Sequence, residues 1–291
     1  MNDNAIEIQG LGKRFGDFAL KDVSFSLPRG YVMGLIGPNG AGKTTIAKLV
    51  MNLIRRDTGT IRVFGKDNVA AEVEVRARIG FVYDEPCFYD DANLEQHARA
   101  IAPLYPGWKQ SRCERLADRF GVPPRKKFKA LSHGMKRKLA LVLALSHDAD
   151  LLILDEPTSG LDPLFRRDLL DCLADVLQDE GKSVLFSTHI VSDLERVADY
   201  VTFLNQGQIL FSLDKEELAE NWAIIKGDES VVAAVEECDR RGIRKSRYGV
   251  EVLTCNVGSA RKLLGADAVV ERASLEDIMV LMTQQEDRHA A

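Results

Sequence analysis

Two hydrophobic periods take turns along most of this chain. Ile6 and Ile8, and then Val23, Phe25 and Leu27, stand two apart with polar neighbours between them, the spacing of strands with one buried face. Pro28-Arg29-Gly30 marks a turn, and the apolar run Tyr31–Ile36 behind it predicts a buried strand. A glycine-rich loop follows, then helical spacing over about 43–54, a turn at Asp57-Thr58-Gly59 and a strand over 60–64. From about 87 to 150 the pattern is mostly helical, broken by Pro103, Pro106 and Pro123-Pro124. A buried strand over 151–154, a helix over 164–179, a strand over 183–187, a helix over 191–198 and a strand over 200–204 complete the alternation. Strands that alternate with helices build a mostly parallel sheet with helices on its faces, so the proline-broken block reads as an insertion into that sheet.

After about Leu213 the units shorten. Helical spacing is expected over 231–241 and 259–264, strands over 250–254 and 268–271, and a last helix opened by Ser274-Leu275-Glu276-Asp277, which resembles a capping box. Two domains are therefore expected. One covers residues 5–213 with a helical subdomain inserted at about 87–150, and a small α+β appendage covers 214–291. The first is α/β: a mostly parallel sheet with an antiparallel β part at its N-terminal end.

Chemistry concentrates in two stretches. Gly37-Pro38-Asn39-Gly40-Ala41-Gly42-Lys43-Thr44-Thr45 fits G-x-x-x-x-G-K-[ST] and lies between a predicted strand and a predicted helix, the context such a loop needs. Glycines let successive backbone N–H groups turn inward as an anion nest, and the helix N-terminus adds partial positive charge. Lys43 is expected on the β- and γ-phosphates and Thr44 on Mg²⁺. The second stretch, Leu151–Pro163, is an apolar strand ending in Asp155-Glu156, at the strand end where open α/β sheets bind ligands. Asp155 can hold Mg²⁺ through a water, and Glu156 is placed to polarise an attacking water. The fold expected is that of a P-loop NTPase.

With these motifs in hand, residues 5–213 resemble the nucleotide-binding subunit of ABC transporters. Leu131-Ser132-His133-Gly134-Met135 is similar to the family's LSGGQ signature, Ser159-Gly160-Leu161-Asp162 to its D-loop, and Ser187-Thr188-His189-Ile190 to its switch histidine. Arg14-Phe15-Gly16 matches the aromatic loop on which adenine stacks. The resemblance implies ATP and Mg²⁺ as the bound species, with Phe15 and Gly37–Thr45 holding the nucleotide. It implies that His189 orients Glu156 and the water at the γ-phosphate. Ser132, Gly134 and Asp162 then act across an interface between two ATP-binding subunits packed head-to-tail, identical or not. A separate integral-membrane permease is the other expected partner, which would place the chain in the cytoplasm, peripheral on the inner face of the membrane.

Three positions depart from the family pattern. His133 replaces the first signature glycine and Met135 the usual glutamine. Asp84, in Arg78–Pro86, fills the place of the Q-loop glutamine, and as a hard oxygen ligand it is a candidate for Mg²⁺. DEPCFYDD, LYPGWK, LSHGMKRKLAL and FSTHIVSDLERVADYVTFLNQGQI are together similar to ABC-2-type bacterial subunits of the bacitracin-resistance and YtrB-like group, most of them tied to export. A non-transport ABC ATPase and an ATP-dependent regulatory module remain alternatives.

Composition narrows these readings. The balance of 39 basic against 44 acidic residues, net −5, argues against a general polyanion-binding surface, so no nucleic-acid partner is expected. The longest uninterrupted apolar run, Leu139–Leu145, is far short of a span, and the polar N-terminus does not read as a signal peptide. Cys87, Cys113, Cys172, Cys238 and Cys255 show no C-x-x-C spacing and read as thiols in a reducing compartment. Between Asp118 and Asp148 every charged residue is basic: Arg119, Arg125, Lys126, Lys127, Lys129, Lys136, Arg137 and Lys138. Such a segment around Ser132 suits an arriving triphosphate or is simply a solvated face.

Overall fold

A computed structural model describes residues 3–247, 249–262, 264 and 269–289. It divides into two compact units, Met1–Ser212 and Leu213–Ala291.

The first unit opens with two long strands, β1 (Asn4–Phe15) and β2 (Phe18–Pro28), paired antiparallel with Ile8 opposite Phe25. Next come the fully buried β3 (Val32–Ile36) and α1 (Lys43–Val50), which starts directly on the glycine-rich loop. After α1, β4 (Thr58–Val63) and the two-residue β5 (Lys66–Asp67) complete an antiparallel sheet in the order β2-β1-β4-β5. The alternating residues Ile6, Ile8, Val23, Leu27, Ile61 and Val63 point into one core together with Ile46 and Leu49 of α1. A short α2 (Glu72–Ala77) leads to β6 (Ile79–Val82).

Three helices follow: α3 (Leu94–Ile101), α4 (Gln110–Phe120) and α5 (His133–Leu145). Asn93 and Gln96 form a reciprocal capping box that starts α3. The alternation then resumes with β7 (Leu151–Asp155), α6 (Pro163–Val176), β8 (Ser183–Thr188), α7 (Val191–Val197), β9 (Tyr200–Asn205) and β10 (Gln208–Asp214). These strands make a six-stranded sheet in the order β10-β9-β3-β8-β7-β6, and the pairs β9/β3, β3/β8, β8/β7 and β7/β6 are parallel. The chain order is shuffled in space, and each parallel neighbour is reached by a long crossover, since parallel strands cannot be joined by a tight hairpin.

The second unit begins with α8 (Lys215–Asn221), β11 (Ala223–Gly227) and the one-turn α9 (Ser230–Ala233), followed by β12 (Arg240–Ser246) and β13 (Gly249–Thr254). It ends with α10 (Val257–Ala260), β14 (Val269–Arg272) and α11 (Leu275–His289). Its antiparallel sheet runs β12-β13-β11-β14 over a core of Ile225, Val231, Val235, Val250, Val252 and Ala260. Ser274 and Asp277 cap α11 reciprocally: Asp277 N–H donates to Ser274 Oγ at 3.1 Å and Ser274 N–H to Asp277 Oδ2 at 3.3 Å.

The helix expected over 231–241 is not formed. Only the one-turn Ser230–Ala233 and a single 3-10 turn at Glu237–Asp239 are helical, and Arg240–Ser246 is a strand whose Ile243 faces Val252 across the ladder. Cross-strand packing overrides the local helical spacing there. Gly242 allows this, since a Cβ at that position would lie 2.7 Å from Leu281 O of α11. The central strand β11 was not expected either; with only Ala223, Ile224 and Ile225 apolar before Lys226, it is too short to show a period. Ala268, expected in a strand, and Leu263, expected in a helix, lie outside the described residues.

Candidate functional site

Register decides which loops meet. In the parallel ladders Ile36 pairs with Thr188, Ser187 with Asp155, and Leu154 with Val82. The loops after β3, β8, β7 and β6 therefore leave one edge of the sheet side by side. They carry, in that spatial order, the phosphate loop, His189, Asp155-Glu156 and Asp84.

The phosphate loop is held by close packing that only glycine permits. A Cβ on Gly37 would lie 2.1 Å from Leu204 O, and Gly42, at φ +113°, caps α1 in a conformation L residues rarely adopt. Lys43 is 6% exposed; its Nζ donates to Gly37 O at 2.8 Å and Pro38 O at 3.2 Å, and lies 3.4 Å from Glu156 Oε1. Pro38, Asn39, Gly40, Thr44 and Thr45 stay at least partly accessible, while Ala41 packs inward. Beside the loop, a cleft is lined by Arg14, Gly16, Asp17, Phe18, Ala19, Lys21, Gly40 and Gln206. Phe15 stands between two of these residues, 44% exposed, with Lys13 Nζ 5.3 Å from its ring centroid.

Asp155 and Glu156 are buried at the end of β7. Asp155 Oδ1 accepts from Ser187 Oγ at 2.5 Å, and the Thr44 hydroxyl also bonds to this carboxylate, while Oδ2 has no partner. Burial pushes the Asp155 carboxyl above the usual carboxylate range; the bonds from Ser187 and Thr44 oppose this, and the charges of Asp84 and Glu156 add to it. Glu156 has φ +48°, in the left-handed region. Its Oε2 meets His189 Nδ1 at 2.8 Å, and its Oε1 pairs with Lys43 as an ion pair without a hydrogen bond.

Asp84 is turned toward α5. Its Oδ1 accepts from Arg137, which is 5% exposed and also donates through Nη1 to Glu156 O at 2.8 Å and to Ser159 O. Sequence reading counted Arg137 only as one of a basic run. No local signal singles it out, because its partners lie 53, 19 and 22 positions away.

Ser132, Gly134 and Asp162 form a second group at helix starts. Ser132 Oγ accepts from Met135 N–H at 3.4 Å and caps α5, whose first turn has no acidic residue. Gly134 faces Leu161, and Asp162 caps α6 by accepting from Phe165 N–H at 2.9 Å. The basic run around them is largely neutralised by carboxylates from other segments. Arg119 pairs with Asp168 and Asp175, Arg125 with Glu95, and Lys127 and Lys129 with Asp91.

Comparison with known proteins agrees with this geometry. A family profile described as "ABC transporter" matches residues 20–159. The chain is 33% identical over 222 residues to the ABC transporter ATP-binding protein YtrB of Bacillus subtilis (strain 168), covering 76% of each chain. It is 31% identical over 219 residues to the bacitracin transport ATP-binding protein BcrA of Enterococcus faecalis, covering 73% of this chain and 70% of that one. A solved structure described as an ATP binding subunit of an ABC transporter matches with a TM-score of 0.68 at 29% identity, over 74% of this chain and 91% of the other. With a P-loop sheet edge of this construction and relatives of this closeness, the chain belongs to the ABC transporter family, as one of its ATP-binding, ATP-hydrolysing proteins.

Proposed function

We propose that this protein is the ATPase subunit that powers a separate membrane permease, in the direction of export. ATP lies with its base against Phe15 and its phosphates on the amides of Gly37–Thr45, and Lys43 neutralises the β- and γ-phosphates. Thr44 and Asp155 supply hard oxygen donors for Mg²⁺. The buried, unpartnered Asp155 Oδ2 beside the Thr44 hydroxyl fits such an ion, and Asp84 adds a nearby carboxylate. The metal, when bound, neutralises phosphate charge. Glu156 polarises the attacking water, and His189 holds the Glu156 carboxylate in place.

One observation carries this reading: Glu156 touches both Lys43, at 3.4 Å, and His189, at 2.8 Å, on one sheet edge. A phosphate-binding cation, a carboxylate base and its orienting imidazole therefore sit where a γ-phosphate and a water would meet. Ser132, Gly134 and Asp162 are placed to complete the site of a second ATP-binding subunit facing this one head-to-tail, the capped N-terminus of α5 meeting its γ-phosphate. Among the described residues no helix is long and apolar enough to cross a membrane, so a permease partner supplies the membrane path. That partner holds the chain at the cytoplasmic face of the membrane. Export is supported by the likeness to BcrA, whose name assigns it to bacitracin transport.

The test is direct. Purified chain releases phosphate from ATP when Mg²⁺ is present, and Lys43→Ala weakens ATP binding by about 10- to 100-fold, as loss of hydrogen bonds to a charged group implies. Unchanged ATP affinity in that variant overturns the site assignment. Failure of the chain to co-purify with a multi-span membrane protein from its own cells overturns the permease reading.

A further inference from the structure

The backbone of Glu156 is the least ordinary part of the site. A glutamate at φ +48° lacks the glycine's freedom there, and such a conformation persists only when its surroundings impose it. Ser159 N–H closes the turn by donating to Glu156 O at 3.3 Å, and two groups from outside the turn hold it. On one side Glu156 N–H donates to Ser187 O at 3.0 Å, which ties it to the neighbouring strand. On the other side Glu156 O accepts from Arg137 Nη1 at 2.8 Å. The same Nη1 reaches Ser159 O beyond the turn, so one nitrogen brackets the loop Glu156–Ser159. The other terminal nitrogen, Nη2, is held by Asp84 Oδ1.

Burying a guanidinium is costly unless its charge is matched, and Asp84 is the carboxylate that the structure sets against it. The planar fork of arginine suits this work, since it meets two carbonyls and a carboxylate in fixed directions, which a lysine ammonium does not. Arg137 also lies one turn inside α5, the helix whose N-terminus carries Ser132 and Gly134. The position of that helix is thus coupled by direct contact to the backbone of the proposed base.

We propose that Arg137 is a positioning residue for hydrolysis: clamped by Asp84, it fixes the Glu156 backbone in the conformation that aims the Glu156 carboxylate at Lys43 and His189. The proposal rests on Glu156 being the base. It gives Asp84 a task different from metal binding, namely holding the arginine.

Steady-state hydrolysis by the full chain, with ATP affinity measured separately, tests it in a double-mutant cycle. Arg137→Gln lowers kcat by roughly 100-fold, the scale of a misplacement of about 1 Å, with KM for ATP within about threefold of the parent. Asp84→Asn lowers kcat in the same sense. The double variant is no slower than Arg137→Gln alone, because both changes break one device. Arg137→Lys, which keeps charge and stem, covers the case in which the glutamine variant does not fold; it also loses kcat more than ATP affinity. A folded Arg137→Gln or Arg137→Lys protein with kcat within twofold of the parent overturns the proposal. So do losses that multiply independently, or an Asp84→Asn protein changed only in its Mg²⁺ requirement. If Glu156→Gln leaves hydrolysis intact, the underlying assignment fails instead, and the two failures are told apart by that variant.

Discussion

The two units of this protein treat charge in opposite ways. In the first, Lys43, Arg137, Asp155 and Glu156 are all less than a tenth exposed and crowd one edge of a parallel sheet. In the second, the ion pairs Lys226–Glu271, Arg244–Glu251 and Lys245–Glu229 lie at the surface, and among the described residues Thr254 is the only buried polar side chain. Burying charge opposes folding, and evolution keeps it where chemistry requires it. The second unit therefore reads as a sheet built for packing, with apolar strand faces covered by α11. A charge cluster outside the first unit that rivalled this one would undo the contrast. The one candidate among the described residues, Glu236, Cys238 and Asp239, has two of its three members exposed.

Substitutions can break or sharpen this contrast. The largest effect is expected at Glu156→Gln: kcat falls by about 10²–10⁴-fold while ATP binding persists, read from phosphate release and nucleotide titration on one preparation. If hydrolysis survives, the buried cluster is not the catalytic centre.

Next in size is Ile225→Ala, which empties part of the second unit's core. Its cost is about 2–5 kcal/mol of stability by denaturant unfolding, with the rate of ATP hydrolysis per folded molecule unchanged. A folded variant that has lost hydrolysis would show the second unit to be part of the catalytic machinery.

A smaller, oppositely signed effect belongs to Asp155→Asn. The buried Asp155 carboxyl titrates above its unfolded value, so its contribution to stability is complete below the ordinary carboxylate pKa and is lost as pH rises through the raised value. At neutral pH the ionised form therefore opposes folding. In chelator and without nucleotide, the asparagine variant melts about 2 °C or more higher at pH 7.5, and the gain fades below about pH 4. A lower melting temperature at pH 7.5 would mean that this carboxylate is stabilised where it stands. Least affected is Arg244→Ala, a surface pair worth at most about 1 kcal/mol in a thermal melt.

The edge between the two outcomes of sequence reading is visible in particular residues. The strands of the first unit were legible because their apolar runs and alternations are long: Tyr31–Ile36 and Leu151–Leu154 each sit inside an observed strand or overlap it by all but its first residue. Asp84 was legible as a residue in an unusual place, but its partner was not. Likewise the basic run Arg119–Lys138 looked like a positive surface, because its carboxylates, Asp91, Asp168 and Asp175 among them, come from other segments. In the second unit the helical spacing near Val231–Arg241 lost to pairing with β13, since strand identity depends on a neighbour that the local sequence does not contain.

Local order, in short, belonged to the chain itself. Glycines that admit a phosphate loop, a lysine behind them, two carboxylates closing an apolar strand and Ser132 ready to cap a helix are all facts of neighbouring residues. What the tertiary structure decided is adjacency across long separations: β3 beside β8, β8 beside β7, β7 beside β6, and through that order Lys43, His189, Glu156 and Asp84 on one edge. The physical reason is parallel pairing, whose register is set by strands far apart in the chain and by helices that must pack on the sheet before any two of these loops can meet.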